Sequence, residues 1–387
     1  MKRILLSIFA FVVSVSLTFA QQAIFERHEI VSPKFNADGT VTFTLRAPEA
    51  KKVTILADFL TRPTEELQQK DGVWTYTSDV LAPELYSYRF YVDGAETLDP
   101  SNLNRSRDVR SFMSTFIISK EEGDCGYLYG NHNVAHGDVA QVWYDSPTLG
   151  MKRRMSIYTP AGYDKGKKYP VMYLLHGAGG DEEAWLTLGR TAQIMDNLIA
   201  LGKAEPMIVV MPNGNASDDA SPYATGLTQK DRPKASYQES FPDIMDYVSK
   251  HYKVKKGADN TALCGLSMGG FHTWSISNLN PGKFGYIGLY SAAVRMDRNS
   301  KKSVDVQLEE NTEVSAQMKA VFDAKPHLYW IAIGKDDFLY DQNVGLRKYL
   351  DKMGYPYEYY ESEGGHIWRN WRIYLTIFAQ RLFKEGR

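Results

Sequence analysis

Residues 260–280 read "NTALCGLSMGGFHTWSISNLN", and the reading of the chain turns on Ser267 in the middle of that stretch. Asn260 to Cys264 is a short apolar run of strand type, and Gly269 to Asn280 can form a helix that stops at Pro281. The order is strand, sharp turn, helix. Such a turn forces its central residue into a strained backbone conformation; the flanking glycines relieve the crowding, and the hydroxyl is pushed out above the sheet edge. A helix that begins directly behind the serine also turns its unpaired N–H groups and positive dipole end toward developing negative charge. The G-x-S-x-G spacing alone does not separate a nucleophile from a small residue in a structural glycine turn, so the partners of the serine must decide.

A serine hydroxyl is a poor nucleophile at neutral pH and needs a base within hydrogen-bond reach. After the strand-like "HLYWIAIG" come Asp336 and Asp337, and after "YPYEYYESE" comes "GGHIWRNW", with His366 in a glycine-rich loop before a helix. Each of these residues follows a strand, so all would converge at the carboxyl edge of a parallel sheet, where open α/β sheets bind ligands. The chain order Ser, Asp, His is that of the α/β-hydrolase arrangement. Taken singly, an acid after a strand is commonly a solvated loop residue, and His366 could cap the next helix; it is the joint placement that carries the reading. The run "LLHGAGGDEEAW" supplies a loop whose glycines allow close backbone approach, and the N–H groups of Ala178 and Met268 are the expected oxyanion-hole donors. His176 is read as structural.

Around this centre, "YPVMYLLHG", "PMIVVMP", "NTALCG", "FGYIGLYS" and "HLYWIAIG" alternate with amphipathic stretches at 181–203, 237–252, 315–324, 339–353 and 368–383. That alternation predicts a largely parallel sheet covered on both faces. Ahead of it, 21–120 holds short strand-like runs separated by Asp-Gly and similar breakers, among them "TVTFTLRAP" and "LYSYRFYVDG", and predicts a small all-β immunoglobulin-like sandwich. Tyr86, Tyr88 and Phe90 share one strand face and Trp74 and Tyr76 another; they are read as sandwich core, with a sugar-stacking platform as the second reading. Residues 121–136 lose periodicity and are read as a linker, which places the α/β domain at 137–387.

Residues 1–20, "MKRILLSIFAFVVSVSLTFA", set Lys2 and Arg3 before an apolar run too short to span a bilayer, followed by small residues, and are expected to be a cleaved signal peptide directing a secreted or periplasmic protein. A net charge of −1 and the lack of a basic run give no footprint for nucleic acid, and no membrane span is expected after cleavage. Cys125 and Cys264 are expected as free thiols. The scattered histidines show no ligand spacing, so neither a metal nor another cofactor is expected.

The segments "HGAGGDEEAW", "GLSMGG", "GKDD" and "GGHIW" resemble the family one carbohydrate esterases, which include feruloyl and acetylxylan esterases, and the related esterase D group. "YSYRFYVDGAETLDPSN" resembles the family 48 carbohydrate-binding module of glycogen-branching enzymes. The first resemblance implies Ser267 as nucleophile, His366 as base and then acid, and Asp337, third after the glycine of its motif, as the orienting acid. It implies a feruloyl or acetyl ester of a xylan-type oligosaccharide as substrate, with Trp185, Tyr223 and Trp368 as candidates for an aromatic slot or sugar rim and, equally, for core. Enterochelin-type siderophore esterases, which join a β-sandwich to a similar hydrolase domain, are the rival enzyme; "QKDRPK" at 229–234 is the cationic segment that would suit their anionic substrate. A non-catalytic glycan-binding protein on a hydrolase scaffold is the rival of another class.

Overall fold

The computed structural model describes residues 30–109, 111–163, 166–221, 233–294, 297 and 299–384. The expected signal peptide, Tyr223 and most of the 229–234 segment lie outside them. The described residues form two compact units, one of residues up to 81 with 87–104, the other of 82–86 with 105 onward.

The first unit is all β. Strands β1 (Lys34–Phe35), β2 (Val41–Arg46), β5 (Gln68–Lys70) and β6 (Val73–Thr77) form one antiparallel sheet in the order β1-β2-β6-β5. In the other, β3 (Val53–Ala57) lies between β4 (Glu65–Glu66) and β7 (Glu84–Val92), with β8 (Ala95–Thr97) folded back on β7. Alternation decides which face is inside: β2 buries Val41, Phe43 and Leu45, and β3 buries Val53, Ile55 and Ala57. The sheets meet where the Phe43 ring packs edge-on against Tyr88 at 4.7 Å. Asp71-Gly72 and Asp93-Gly94 close two hairpins with positive φ at both residues, the geometry that matches strand twist and explains the Asp-Gly signals. Trp74, Tyr88 and Phe90 are buried, which agrees with the core reading of these aromatics; Tyr76 is only partly buried, and Tyr86, though buried, falls in the second unit.

The second unit opens with an antiparallel hairpin, β9 (Arg105–Asp108) and β10 (Ser111–Ile118), and a short helix α1 (Cys125–Tyr129). An eight-stranded sheet follows, with strands β11 (Asp138–Ser146), β12 (Met151–Thr159), β13 (Val171–Leu175), β14 (Ile208–Pro212), β15 (Thr261–Leu266), β16 (Tyr286–Tyr290), β17 (Leu328–Gly334) and β18 (Glu358–Ser362) in the order β11-β12-β14-β13-β15-β16-β17-β18. β12 runs antiparallel to both its neighbours, and from β14 onward all pairs are parallel. The helices are α2 (Ala184–Thr187), α3 (Thr191–Ala200), α4 (Tyr237–His251), α5 (Met268–Leu279), α6 (Val304–Glu310), α7 (Thr312–Asp323), α8 (Tyr340–Met353) and α9 (Trp368–Ala379). β13 is buried along its whole length because it is covered on both sides. Its Val171, Tyr173 and Leu175 join a core with Phe241 and Ile244 of α4, while Met172 and Leu174 join a second core with Leu198 of α3 and Phe378 of α9. This is an α/β-hydrolase fold behind an all-β region.

Two segments differ from expectation. The stretch read as a linker contains α1, capped by the Asp124 carboxylate, which accepts from the Tyr127 N–H at 2.6 Å. The Asn197 amide of α3 donates to the carbonyls of Tyr127, Leu128 and Gly130, and Tyr129 is fully buried. Its glycines and polar residues are caps and turn residues rather than signs of freedom. Strands β9 and β10, within the residues 105–120 expected in the sandwich, do continue its second sheet, in the order β4-β3-β7-β10-β9, although residues from 105 onward group with the second unit. The single helix expected over 181–203 is two, because Arg190 takes a left-handed φ of 55° between α2 and α3. Cys125 and Cys264 are both free thiols.

Candidate active site

Ser267 lies between the end of β15 and the first turn of α5, at φ 55° and ψ −113°. A non-glycine residue there stores on the order of 1–3 kcal/mol, so the surroundings must hold it. The Ser267 N–H donates to the Tyr290 carbonyl at 2.9 Å, and its own carbonyl accepts from the N–H groups of Phe271 at 3.0 Å and Ala293 at 3.1 Å. The glycines make room for the main chain. A Cβ on Gly269 would stand 2.4 Å from the Leu175 carbonyl oxygen and 2.6 Å from that of His176, and one on Gly265 would stand 2.6 Å from the Gly269 oxygen.

The same close approach brings the 176–180 loop to the serine: a Cβ on Gly177 would lie 3.3 Å from Ser267 Cβ. The Gly180 N–H donates to the Gly177 carbonyl at 3.1 Å, closing a turn with exposed Ala178 at its tip. Met268 is the first residue of α5, so its N–H has no acceptor within the helix. Both candidate oxyanion donors therefore sit on backbone packed beside Ser267. His176 anchors this loop from behind. Its Nε2 accepts from the Gly214 N–H at 2.7 Å, which leaves the proton on Nδ1 to be donated to the Gly177 carbonyl at 2.8 Å. Burial pushes this imidazole below its ordinary pKa, consistent with a neutral structural ring.

Asp337 and His366 are brought together. Nδ1 of His366 lies 2.9 Å and 3.0 Å from the two Asp337 carboxylate oxygens, and Oδ1 of Asp337 also accepts from the Leu339 N–H at 2.9 Å. A carboxylate only accepts, so the imidazole proton is on Nδ1 and Nε2 is left as a base. The Asp337 side chain is fully buried and that of His366 is 17 % exposed. Asp336, by contrast, is exposed and points its backbone N–H at the Gly364 carbonyl, 3.0 Å away. The rings of Phe338 at 4.5 Å and Trp371 at 4.8 Å flank the imidazole. Among the described residues no hydrogen bond joins the Ser267 hydroxyl to His366; catalytic hydrogen bonds commonly tighten only when substrate is bound.

Several residues that hold these loops were missed in the sequence. The Asn370 amide of α9 donates to the carbonyls of Glu363 at 3.0 Å and Gly365 at 2.9 Å and so pins the loop carrying His366. Arg107, at the end of β9, donates to Asp181 at 2.6 Å and to the Ser221 hydroxyl at 2.7 Å. Arg154 of β12 donates to Glu182 at 2.6 Å, and Glu182 also accepts from the Asn213 amide at 3.0 Å. The acids directly after "HGAGG" therefore tie the 176–180 loop to β9, β12 and the 213–221 loop. The proximity of "DEE" to the glycine run was the available signal; their arginine partners lie far away in sequence.

The aromatic candidates fare differently. Trp185 is 1 % exposed, donates its indole N–H to the Leu175 carbonyl at 2.9 Å and packs edge-on against Tyr290, so it is core and cannot line a slot. Trp368 is partly buried against Trp185 and Trp371, at 5.3 Å and 5.2 Å. The exposed aromatic surface beside the imidazole is Phe338, 75 % exposed.

The fold and this site define an α/β-hydrolase. The chain belongs to the Esterase family ("Putative esterase"), whose model matches residues 146–381. An endo-1,4-beta-xylanase/feruloyl esterase of Xylanibacter ruminicola is 31 % identical over 363 residues, covering 91 % of this chain; the chain spans 46 % of that relative's length. A ferulic acid esterase of Anaeromyces mucronatus, solved with ferulic acid, superposes with a TM-score of 0.53 at 25 % identity, over 66 % of this chain and 94 % of the other. The enterobactin esterase of Shigella flexneri superposes with a TM-score of 0.65 at 18 % identity, over 89 % of this chain and 92 % of the other, a likeness of fold.

Proposed function

We propose that this protein is an exported serine esterase that releases feruloyl or related hydroxycinnamoyl groups from xylan-type oligosaccharide. The observation that carries the reading is the buried Asp337–His366 pair, set at the same sheet edge as a serine held at positive φ. In this mechanism Ser267 attacks the ester carbonyl while Nε2 of His366 takes its proton. Asp337 holds the imidazole in the required tautomer and stabilises its charged form, and the N–H groups of Ala178 and Met268 receive the oxyanion. His366 then gives that proton to the departing sugar oxygen, which leaves as the hydroxyl, and water repeats the sequence on the acyl-enzyme. The feruloyl choice is supported by the names of the relatives and by exposed Phe338, which offers a ring face for an aromatic acyl group beside the base. Export rests on the first twenty residues. The first unit is proposed as a carbohydrate-binding-module-like domain, and since Trp74, Tyr88 and Phe90 are sandwich core, glycan would meet other residues there.

Purified protein assayed in parallel on methyl ferulate, acetylated xylan and ferric enterobactin tests the reading. Hydrolysis of methyl ferulate is the expected result. Turnover of acetylated xylan alone would replace feruloyl by acetyl, and turnover of ferric enterobactin alone would make the protein a siderophore esterase.

A further inference from the structure

Beside the 176–180 loop lies a cavity of about 160 Å³ that the mechanism above does not use. We propose that it binds the sugar ring carrying the scissile ester, a deepening of the esterase reading on which it rests. Three observations converge on this occupant.

The first is position. Gly179 and Gly180 form one wall, two and three residues beyond Gly177, which packs on Ser267. At about 3.8 Å between successive Cα atoms, that wall begins within about 8 Å of the glycine in contact with the serine. One ring attached to an ester held at Ser267 spans that distance. The second is size. Small-molecule clefts usually run from about 300 to 1,000 Å³, so this cavity has room for one five- or six-membered ring and not for a disaccharide.

The third is chemistry. Arg107, Asp181, Asn213, Asn215 and Asp218 contribute to the lining, so charged and amide donors and carboxylate acceptors are present together. A sugar hydroxyl both donates and accepts and suits such a set. Among the described residues no aromatic side chain lines the cavity, whereas a phenolic ring would want a flat apolar flank. The polar groups are also fixed in place. Arg107 is held by Asp181 and Ser221, Asn215 donates to the Gly180 carbonyl at 2.9 Å, and Asp218 is 7 % exposed. Val109, at the tip of the β9–β10 hairpin with φ 54°, closes one side: a Cβ on Gly179 would meet its side chain at 2.7 Å. The hairpin is thereby a specificity element, which its place in the sequence among sandwich strands did not suggest.

The test compares kcat/KM on a feruloyl ester of arabinofuranose with kcat/KM on methyl ferulate, which has the same acyl group and no sugar. Asp218→Ala removes an acceptor from the cavity, and Ala220→Leu fills it. Each is expected to lower the ratio of pentose ester to methyl ester by roughly tenfold or more, chiefly through KM, with thermal unfolding showing both variants folded. An unchanged ratio overturns the proposal, as does an equal loss on both esters, which would give the cavity to the acyl group. If the native enzyme cleaves acetyl esters but not methyl ferulate, the feruloyl reading falls. The same ratio, measured with acetylated xylobiose against p-nitrophenyl acetate, then decides the sugar site separately.

Discussion

Replacing Asp337 by Asn keeps the volume and shape of the side chain, and the structure specifies what goes wrong. Oδ1 of Asp337 accepts from the Leu339 N–H at 2.9 Å, so the amide oxygen of the variant must occupy that position. The NH2 group then takes the place of Oδ2, 2.9 Å from Nδ1 of His366. Two N–H groups cannot face each other, so the imidazole proton moves to Nε2, the atom required to accept the serine proton. The variant also loses the charge that stabilises imidazolium. In a serine protease with this arrangement the same change costs about 10⁴ in kcat, equivalent to about 5.5 kcal/mol of transition-state stabilisation. We expect a loss of that order for Asp337→Asn on methyl ferulate, with KM little altered. Asp336→Asn, in an exposed side chain that does not reach the imidazole, is expected to change kcat less than about tenfold. Stopped assays on both variants decide the matter. Comparable losses, or the larger one at Asp336, would refute the assignment.

Ser267→Gly is expected to abolish turnover and, because glycine tolerates φ 55° without strain, to raise stability by roughly 1–2 kcal/mol in urea unfolding; a destabilised variant would mean that the turn is not strained. Asn370→Ala leaves the carbonyls of Glu363 and Gly365 without that donor and should lower kcat as the His366 loop loosens, at a stability cost of about 1–3 kcal/mol; a wild-type kcat would show the loop to be held otherwise. Glu84→Ala would strand the Arg372 guanidinium, which it meets at 2.9 Å with both groups buried, and should cost about 3–5 kcal/mol by thermal or urea unfolding; a loss below 1 kcal/mol would contradict this. His272 is buried and its pKa is lowered to about 3, against roughly 6.5 in an unfolded chain. Between those values the unfolded state binds the extra proton, so the native state loses stability as pH falls below about 6.5. At about 1.4 kcal/mol per unit, the His272 contribution between pH 7 and 4.5 is roughly 2–3 kcal/mol, and His272→Leu should shrink the measured pH dependence by that amount. An undiminished dependence in that variant would locate the acid sensitivity elsewhere.

The parallel half of the sheet was legible because its strands are buried on both faces and read as unbroken apolar runs, as in "VMYLL" and "LYWIAIG". The antiparallel pair that begins the sheet was not: β12 reads "MKRRMSIYT", and its arginines look like a surface loop until Arg154 meets Glu182 and Arg153 meets the Asn213 carbonyl. Ser267, Asp337 and His366 could be placed because each follows a strand, and local order fixes that. What surrounds them depends on pairing across the chain: Arg107 with Asp181 joins residues 74 apart, and Arg372 with Glu84 joins residues 288 apart. Trp185 shows the converse. The resemblance offered it equally as a ring for ligand and as core, and the fold decides for core, where its indole N–H finds the Leu175 carbonyl.

The interleaving of the two units bears on how such proteins can be recombined. Followed from residue 30, the chain leaves the first unit at 82, returns to it at 87 and leaves again at 105, so three crossings join the two. A gene fusion with one junction, at 104/105, moves the first unit whole but carries 82–86 away with it, and no single junction moves the second unit intact without part of the first. Cutting at the apparent linker near 121–136 would take Arg107 from Asp181 and Glu84 from Arg372, and cutting near 81 would take β7 from β3. A single protease nick between 81 and 82 would likewise leave 87–104 tethered to the hydrolase. The hydrolase unit should therefore be inherited, exchanged and engineered together with the strands that precede it, as one cassette.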